Sequence, residues 1–172
     1  QIAAERPGGR GQAMKRLSLA CLLVWCAALH AQAVAPADET GVVHMAWMGD
    51  VMLADGPGRL IRQGGDPFKP FAARLDQADV RVANLECVIA TGGRAADKPW
   101  TFRASPRVLP LLKRHVDVVS VANNHSGDFG RAAFAEMLGR LERAGLPYFG
   151  GGRNLVEAHR PYIVERKGIK IA

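Results

Sequence analysis

The chain has 172 residues, 48% of them hydrophobic and 23% charged, and carries a formal net charge of +7. That length and balance exclude a disordered or low-complexity chain and leave enough polypeptide for one domain with its own core. The basic excess is modest, and no Lys/Arg cluster is interleaved with aromatics, which argues against a nucleic-acid-binding protein.

Met14-Lys15-Arg16 followed by the apolar run 17–29 has the layout of a secretory signal peptide, too short to span a bilayer. Ala31-Gln32-Ala33 then reads as a small-x-small cleavage site. The expectation is export to the periplasm or the extracellular face of the membrane, with an uncleaved anchor as the alternative. Residues 1–33 are read as an upstream extension plus signal peptide, 34–41 as a linker and 42–172 as the folded domain. Four basic residues and one acidic residue lie in 1–33, so the +7 falls to +4 beyond them. Cys21 and Cys26 belong to the leader; Cys87 alone remains, which leaves no internal disulfide partner and suits a small buried apolar residue.

The predicted elements alternate. Residues 42–48 form a nearly continuous apolar strand that runs into Gly49-Asp50. A short helix is expected over 55–63, a turn over 64–67 and a helix over 70–77 with Pro70 in its first position. Residues 79–85 read as the second strand, which runs through Asn84 and Leu85 into Glu86, and 91–99 as a loop. Ser105-Pro106 opens a helix to about residue 114. The third strand, 117–122, leads into Asn123-Asn124-His125. The clearest helix covers 129–143, with Asp128 as its expected cap, Phe134, Leu138 and Leu141 as its apolar stripe and Gly145 as its stop. A short strand over 146–149, a helix capped by Asn154 and a hairpin with arms 162–165 and 169–171 complete the chain. Strand–helix alternation of this kind builds an α/β domain around a parallel sheet.

Open α/β sheets bind ligands beyond the carboxyl ends of their strands. Here three such ends carry Asp50, then Asn84 and Glu86, then Asn123, Asn124 and His125. Two carboxylates about 4 Å apart repel by roughly 4 kcal/mol at an effective dielectric of 20, so a proton or a cation is needed between them. Hard divalent cations take carboxylate and amide oxygens. His125 either ligates a borderline metal or stays free as a general acid. Taken singly, Asp50 reads as a turn or cap, and Glu86 as the partner of Arg81 or Arg103. His44 and His159 read as structural or exposed. Gly150-Gly151-Gly152-Arg153 is an anion nest or a plain turn and lacks the P-loop pattern.

These residues also carry a family resemblance. Gly49-Asp50-Val51-Met52-Leu53, Asn84-Leu85-Glu86, Phe102-Arg103-Ala104, the run from Asp117 through Asn123-Asn124-His125 to Asp128-Phe129-Gly130, and Gly150-Gly151-Gly152-Arg153-Asn154 are its matching stretches. Over about 43–172 the chain resembles the CapA-type proteins of bacterial poly-γ-glutamate capsule synthesis. That family looks like a branch of the calcineurin-like metallophosphoesterases. The resemblance implies a layered α/β sandwich, here expected to be incomplete at the C-terminus because the chain breaks off in a strand-like run. It implies divalent metal ions held by Asp50, Glu86 and Asn124, with Asn84 and Asn123 lining the site and His125 as the acid. Met52 stands where the phosphoesterase Asp-x-His motif has its histidine, and Asn-Leu-Glu replaces the paired Asp of the second motif. The implied role is synthesis, export or trimming of an anionic exopolymer, through a metal-bound water acting on an amide or phosphoester bond. The alternative is a non-catalytic accessory subunit that binds the polymer or the membrane synthase.

Overall fold

Four strands form a parallel sheet. In the computed structural model, which describes residues 41–172, they are β1 (Met45–Val51), β2 (Val80–Leu85), β5 (Val118–Ser120) and β6 (Tyr148–Phe149), in the order β1-β2-β5-β6. The leader and nearly all of the linker lie outside the described residues. Two small ribbons accompany the sheet. β3 (Val88–Ile89) pairs in parallel with β4 (Arg103–Ala104), and β7 (Val164–Arg166) pairs antiparallel with β8 (Ile169–Ile171). The second of these is the expected hairpin. The first was not anticipated: two residues per strand leave no periodicity to read.

The connections are helical, as a parallel sheet requires. α1 (Asp55–Arg62) follows β1. A 3₁₀ turn at Lys69–Phe71, with Pro70 near its start, leads into α2 (Ala72–Leu75). A second turn, Pro106–Val108, is capped by the Ser105 hydroxyl and leads into α3 (Leu109–His115). α4 (Gly130–Ala144) separates β5 from β6. It ends where Gly145 adopts a left-handed φ of 63°, a conformation that glycine takes without steric cost. α5 (Leu155–Ala158) is capped by Asn154, whose Oδ1 accepts the Glu157 N–H at 2.9 Å. Among the described residues no helix is long and apolar enough to cross a membrane.

Strand periodicity divides the core in two. Leu85 and Val119 face the helices and pack with Leu112, Met137, Leu138 and Leu141. Val80, Val82 and Val118 face the other way, against Val164 of the hairpin. The third strand is shorter than 117–122, and at its start Arg81 donates to both oxygens of Asp117, from Nε and its own N–H to Oδ2 and from Nη2 to Oδ1 at 2.7 Å. Arg81 is therefore a strap between β2 and β5 and not the partner of Glu86.

One helix expectation needs correcting. Asp128 does not cap α4; Phe129 occupies the N-cap position and no side chain bonds there. The Asp128 carboxylate is instead fully buried and faces another loop.

Candidate functional site

Because β1, β2 and β5 are parallel, their carboxyl ends open on one side. The β1–β2 register slips between Trp47 and Asp50, where Gly49 has φ +64°, and Asp50 resumes pairing opposite Asn84. On the other flank Asn84 lies opposite Ser120, just before the Asn123 turn. The Glu86 N–H reaches the Val51 carbonyl at 3.1 Å, so the ladder extends past β2 and fixes the backbone that carries Glu86.

The side chains then orient one another in sequence. Asn123 Oδ1 accepts the backbone N–H groups of His125 at 3.0 Å and Ser126 at 2.9 Å. With its oxygen so engaged, the Asn123 amide nitrogen must point away, and it donates to Leu85 O and Asn84 Oδ1, both at 2.9 Å. Asn84 is thereby oriented too. Its Nδ2 faces the two carboxylates and donates to Asp50 Oδ1 at 2.8 Å and Glu86 Oε2 at 2.6 Å. A neutral N–H₂ group thus bridges Asp50 and Glu86, and each carboxylate keeps one oxygen outside that bridge.

His125 stands on the far side of Glu86. Its Nδ1 is 2.8 Å from Asp128 Oδ2, and its Nε2 is 3.8 Å from Glu86 Oε1. Phe102 lies against the ring at 4.4 Å between centroids. Both the His125 and Glu86 side chains are only about an eighth exposed, at 12% and 13%. Asp128 has no exposed surface. Burial works to raise its pKa, but Lys98, His125 and the Phe102 N–H outweigh that effect and hold the carboxyl below its ordinary range.

Asp50, Asn84, Glu86, Asn123 and His125 are therefore brought together. Asn124 is exposed; its carbonyl accepts from Lys98 at 2.8 Å, and its side chain makes no hydrogen bond with the others. Met52, at the place of the absent histidine, turns its sulfur to the Ala54 N–H at 3.2 Å. Cys87 is fully buried, and burial pushes its thiol up to about 12, as expected of an unreactive core residue. His44 and His159 are exposed. Among the described residues no set of three or more His, Cys, Asp or Glu side chains is gathered to hold a metal ion.

The strand ends also lie within a stretch that a known family matches. A sequence model described as bacterial capsule synthesis protein PGA_cap matches residues 44–172. The chain belongs to this family. The PGA_cap match begins just before β1 and takes in the whole site. The chain is also 36% identical over 88 residues to proteins from two strains of Mycobacterium tuberculosis, each named a probable polyglutamine synthesis accessory protein. The matched stretch is 50% of this chain and 23% of each relative, so the chain spans about a quarter of the length of these curated relatives.

Three contributors to the site escaped sequence reading: Lys98, Phe102 and the inward-facing Asp128. Lys98 sits in the 91–99 stretch, whose glycines and polar residues signal only a loop, and Phe102 carried the family resemblance without a role in the site. The available signal was the Asp three residues after His125, close enough to bond the ring within one turn, but helix-cap statistics favoured the other use.

Proposed function

We propose that this PGA_cap chain acts in the synthesis, export or trimming of an anionic capsule polymer, and that it does so through the site at the ends of β1, β2 and β5. Its membership of a capsule synthesis family supports the process. The observation that carries the site is the continuous network Asp50–Asn84–Glu86, with Asn123 behind it and His125 beside Glu86. The calcineurin-like layering and exported location are part of the same proposal, the first supported by the helix-covered parallel sheet and the second by the leader sequence.

The donor set suits a hard divalent cation. Asp50 and Glu86 converge on one hydrogen-donating group, which is where paired carboxylates call for positive charge, and the oxygens outside that bridge are hard ligands. In this reading Asp50 and Glu86 would hold the ion, with exposed Asn124 as the further ligand. Such an ion supplies Lewis acidity and lowers the pKa of bound water. The chain's own residues supply the rest. Asn84 and Asn123 fix the spacing of the carboxylates, Phe102 restricts the imidazole, and His125 Nε2 carries a proton to or from the reacting group.

A second reading, a non-catalytic accessory subunit, draws support from Met52 in place of the histidine and from the accessory designation of the mycobacterial relatives. Metal analysis and a phosphodiesterase assay on the full chain separate the two. Stoichiometric metal, with activity falling at least about 10²-fold in His125→Ala, supports the hydrolase. No metal and no turnover, with binding to a glutamate polymer retained, supports the accessory role.

A further inference from the structure

The loop that joins β3 to β4 is fastened to the His125 turn at five points, and three of them lead to Asp128. Asp128 Oδ2 accepts the Phe102 N–H at 2.6 Å and faces His125 Nδ1 at 2.8 Å. Asp128 Oδ1 is paired with the Lys98 ammonium, and the Asp128 carbonyl accepts the Ala96 N–H at 2.7 Å. Lys98 also donates to the Asn124 carbonyl at 2.8 Å. The Phe102 ring closes the same loop over the imidazole. Lys98 is 30% exposed at its side chain, so it closes the assembly from the solvent side.

We propose that Lys98 and Asp128 are positioning residues that hold His125 as the Nδ1–H tautomer with Nε2 free, and that the 91–102 loop sets the state of the site through them. The argument is one of donors and acceptors. Oδ2 of an ionised carboxylate only accepts, so the ring nitrogen 2.8 Å away must carry the proton. In the neutral ring the lone pair then belongs to Nε2, which lies 3.8 Å from Glu86 Oε1, beyond hydrogen-bond range. Lys98 keeps the carboxylate charged without competing for Oδ2, because it pairs with the other oxygen. The remaining Oδ2 contact, the Phe102 N–H, prevents the carboxylate from rotating away from the ring.

The significance of this tautomer rests on His125 being the proton-carrying group proposed above, but the test does not require turnover. In the full chain with ¹⁵N-labelled histidine, the ring of His125 is assigned by comparison with His125→Gln. The expected signature, at a pH where the ring is neutral, is a protonated Nδ1 and an unprotonated Nε2. A wild-type ring with its proton on Nε2 overturns the proposal outright. In Lys98→Met the Nδ1–H signature is expected to be lost or averaged, and Lys98→Arg is expected to restore it. Asp128→Asn is expected to lose it in protein that keeps the α4 amide pattern. A folded Lys98→Met with the wild-type signature also overturns the proposal, and a wild-type ring without a proton on Nδ1 overturns it even where a variant does not fold. Loss of metal binding or of hydrolysis would sink the function proposed above while leaving this tautomer assignment standing.

Discussion

At the residue scale the tandem asparagines divide the work unequally. Asn123 satisfies four partners at once: two backbone N–H groups, the Leu85 carbonyl and the Asn84 amide oxygen. Removing a side chain that leaves buried groups without partners costs about 1–3 kcal/mol for each group so stranded. Asn123→Ala is therefore expected to lose about 2–4 kcal/mol of stability by urea unfolding. Asn124→Ala removes an exposed amide with no side-chain hydrogen bond and should stay within about 0.5 kcal/mol. Its effect, on the metal reading, appears in metal content alone. Equal destabilisation by the two would disprove the division. Sequence reading reached the pair and, from the family resemblance, gave the ligand role to Asn124 and a lining role to Asn123; that Asn123 is the one that ties the turn to β2 was not legible. Which of two adjacent residues points inward depends on the turn that follows, and that turn is set by contacts to Ser126 and β2. The same blindness explains Asp128: its chain neighbours suit a helix cap, whereas two of the partners that turn it inward, Phe102 and Lys98, lie more than twenty residues away.

At the element scale α4 is tied to the β3–β4 loop as well as to the sheet. Glu136 accepts the Thr91 N–H at 3.0 Å and the Thr91 hydroxyl at 2.9 Å, and Arg140 one turn on donates to the same oxygen. Arg140 first, and the Thr91 N–H second, draw the Glu136 pKa down from 4.5 to about 2. A carboxyl with a lowered folded pKa adds stability that is complete above its unfolded value and disappears as pH falls through the folded one. The window is thus from about 4.5 down to about 2. The Glu136 side chain is 26% exposed, so solvent screening reduces the contribution to about 1 kcal/mol. Glu136→Gln should trail the wild type by that amount at neutral pH, and the gap should close as urea melts are repeated from pH 5 towards pH 2. A gap that stays constant with pH would show that the charge contributes nothing. The helix itself was plain in the sequence, since fifteen residues give several turns of periodicity. The strands β3 and β4 were not, because each is defined only by its partner.

At the scale of the whole described domain the two faces of the sheet are filled differently. Val119 looks into the helix-side core and is completely buried; its neighbour Val118 is 1% exposed but looks toward the hairpin. Beside Val118 lies a cavity of about 310 Å³, also lined by Met45, Trp47, Phe149, Tyr162 and Ile171, with Trp47 still 68% exposed. Adjacent residues of one strand therefore offer an internally controlled comparison. Each Val→Ala change forfeits about 1.6 kcal/mol of transfer free energy for two methyl groups. On the packed side a new void adds to that loss, so Val119→Ala should cost about 2–3 kcal/mol. On the hairpin side Val118 loses the same transfer term, but the lining of the neighbouring cavity can shift into the vacated space, so Val118→Ala should cost no more than that term, about 1.6 kcal/mol. Enlargement should keep the asymmetry. Val119→Ile overpacks and should cost about 1–3 kcal/mol, while Val118→Ile can extend towards the cavity and should cost less than Val119→Ile. Denaturant unfolding of the four variants reads both differences, and identical costs on the two faces would mean that the hairpin side is as closely packed as the helix side. The burial of Val118 and Val119 could be foreseen from a continuous apolar strand; the inequality of their surroundings could not, since it depends on how closely a two-stranded ribbon more than forty residues downstream covers the sheet.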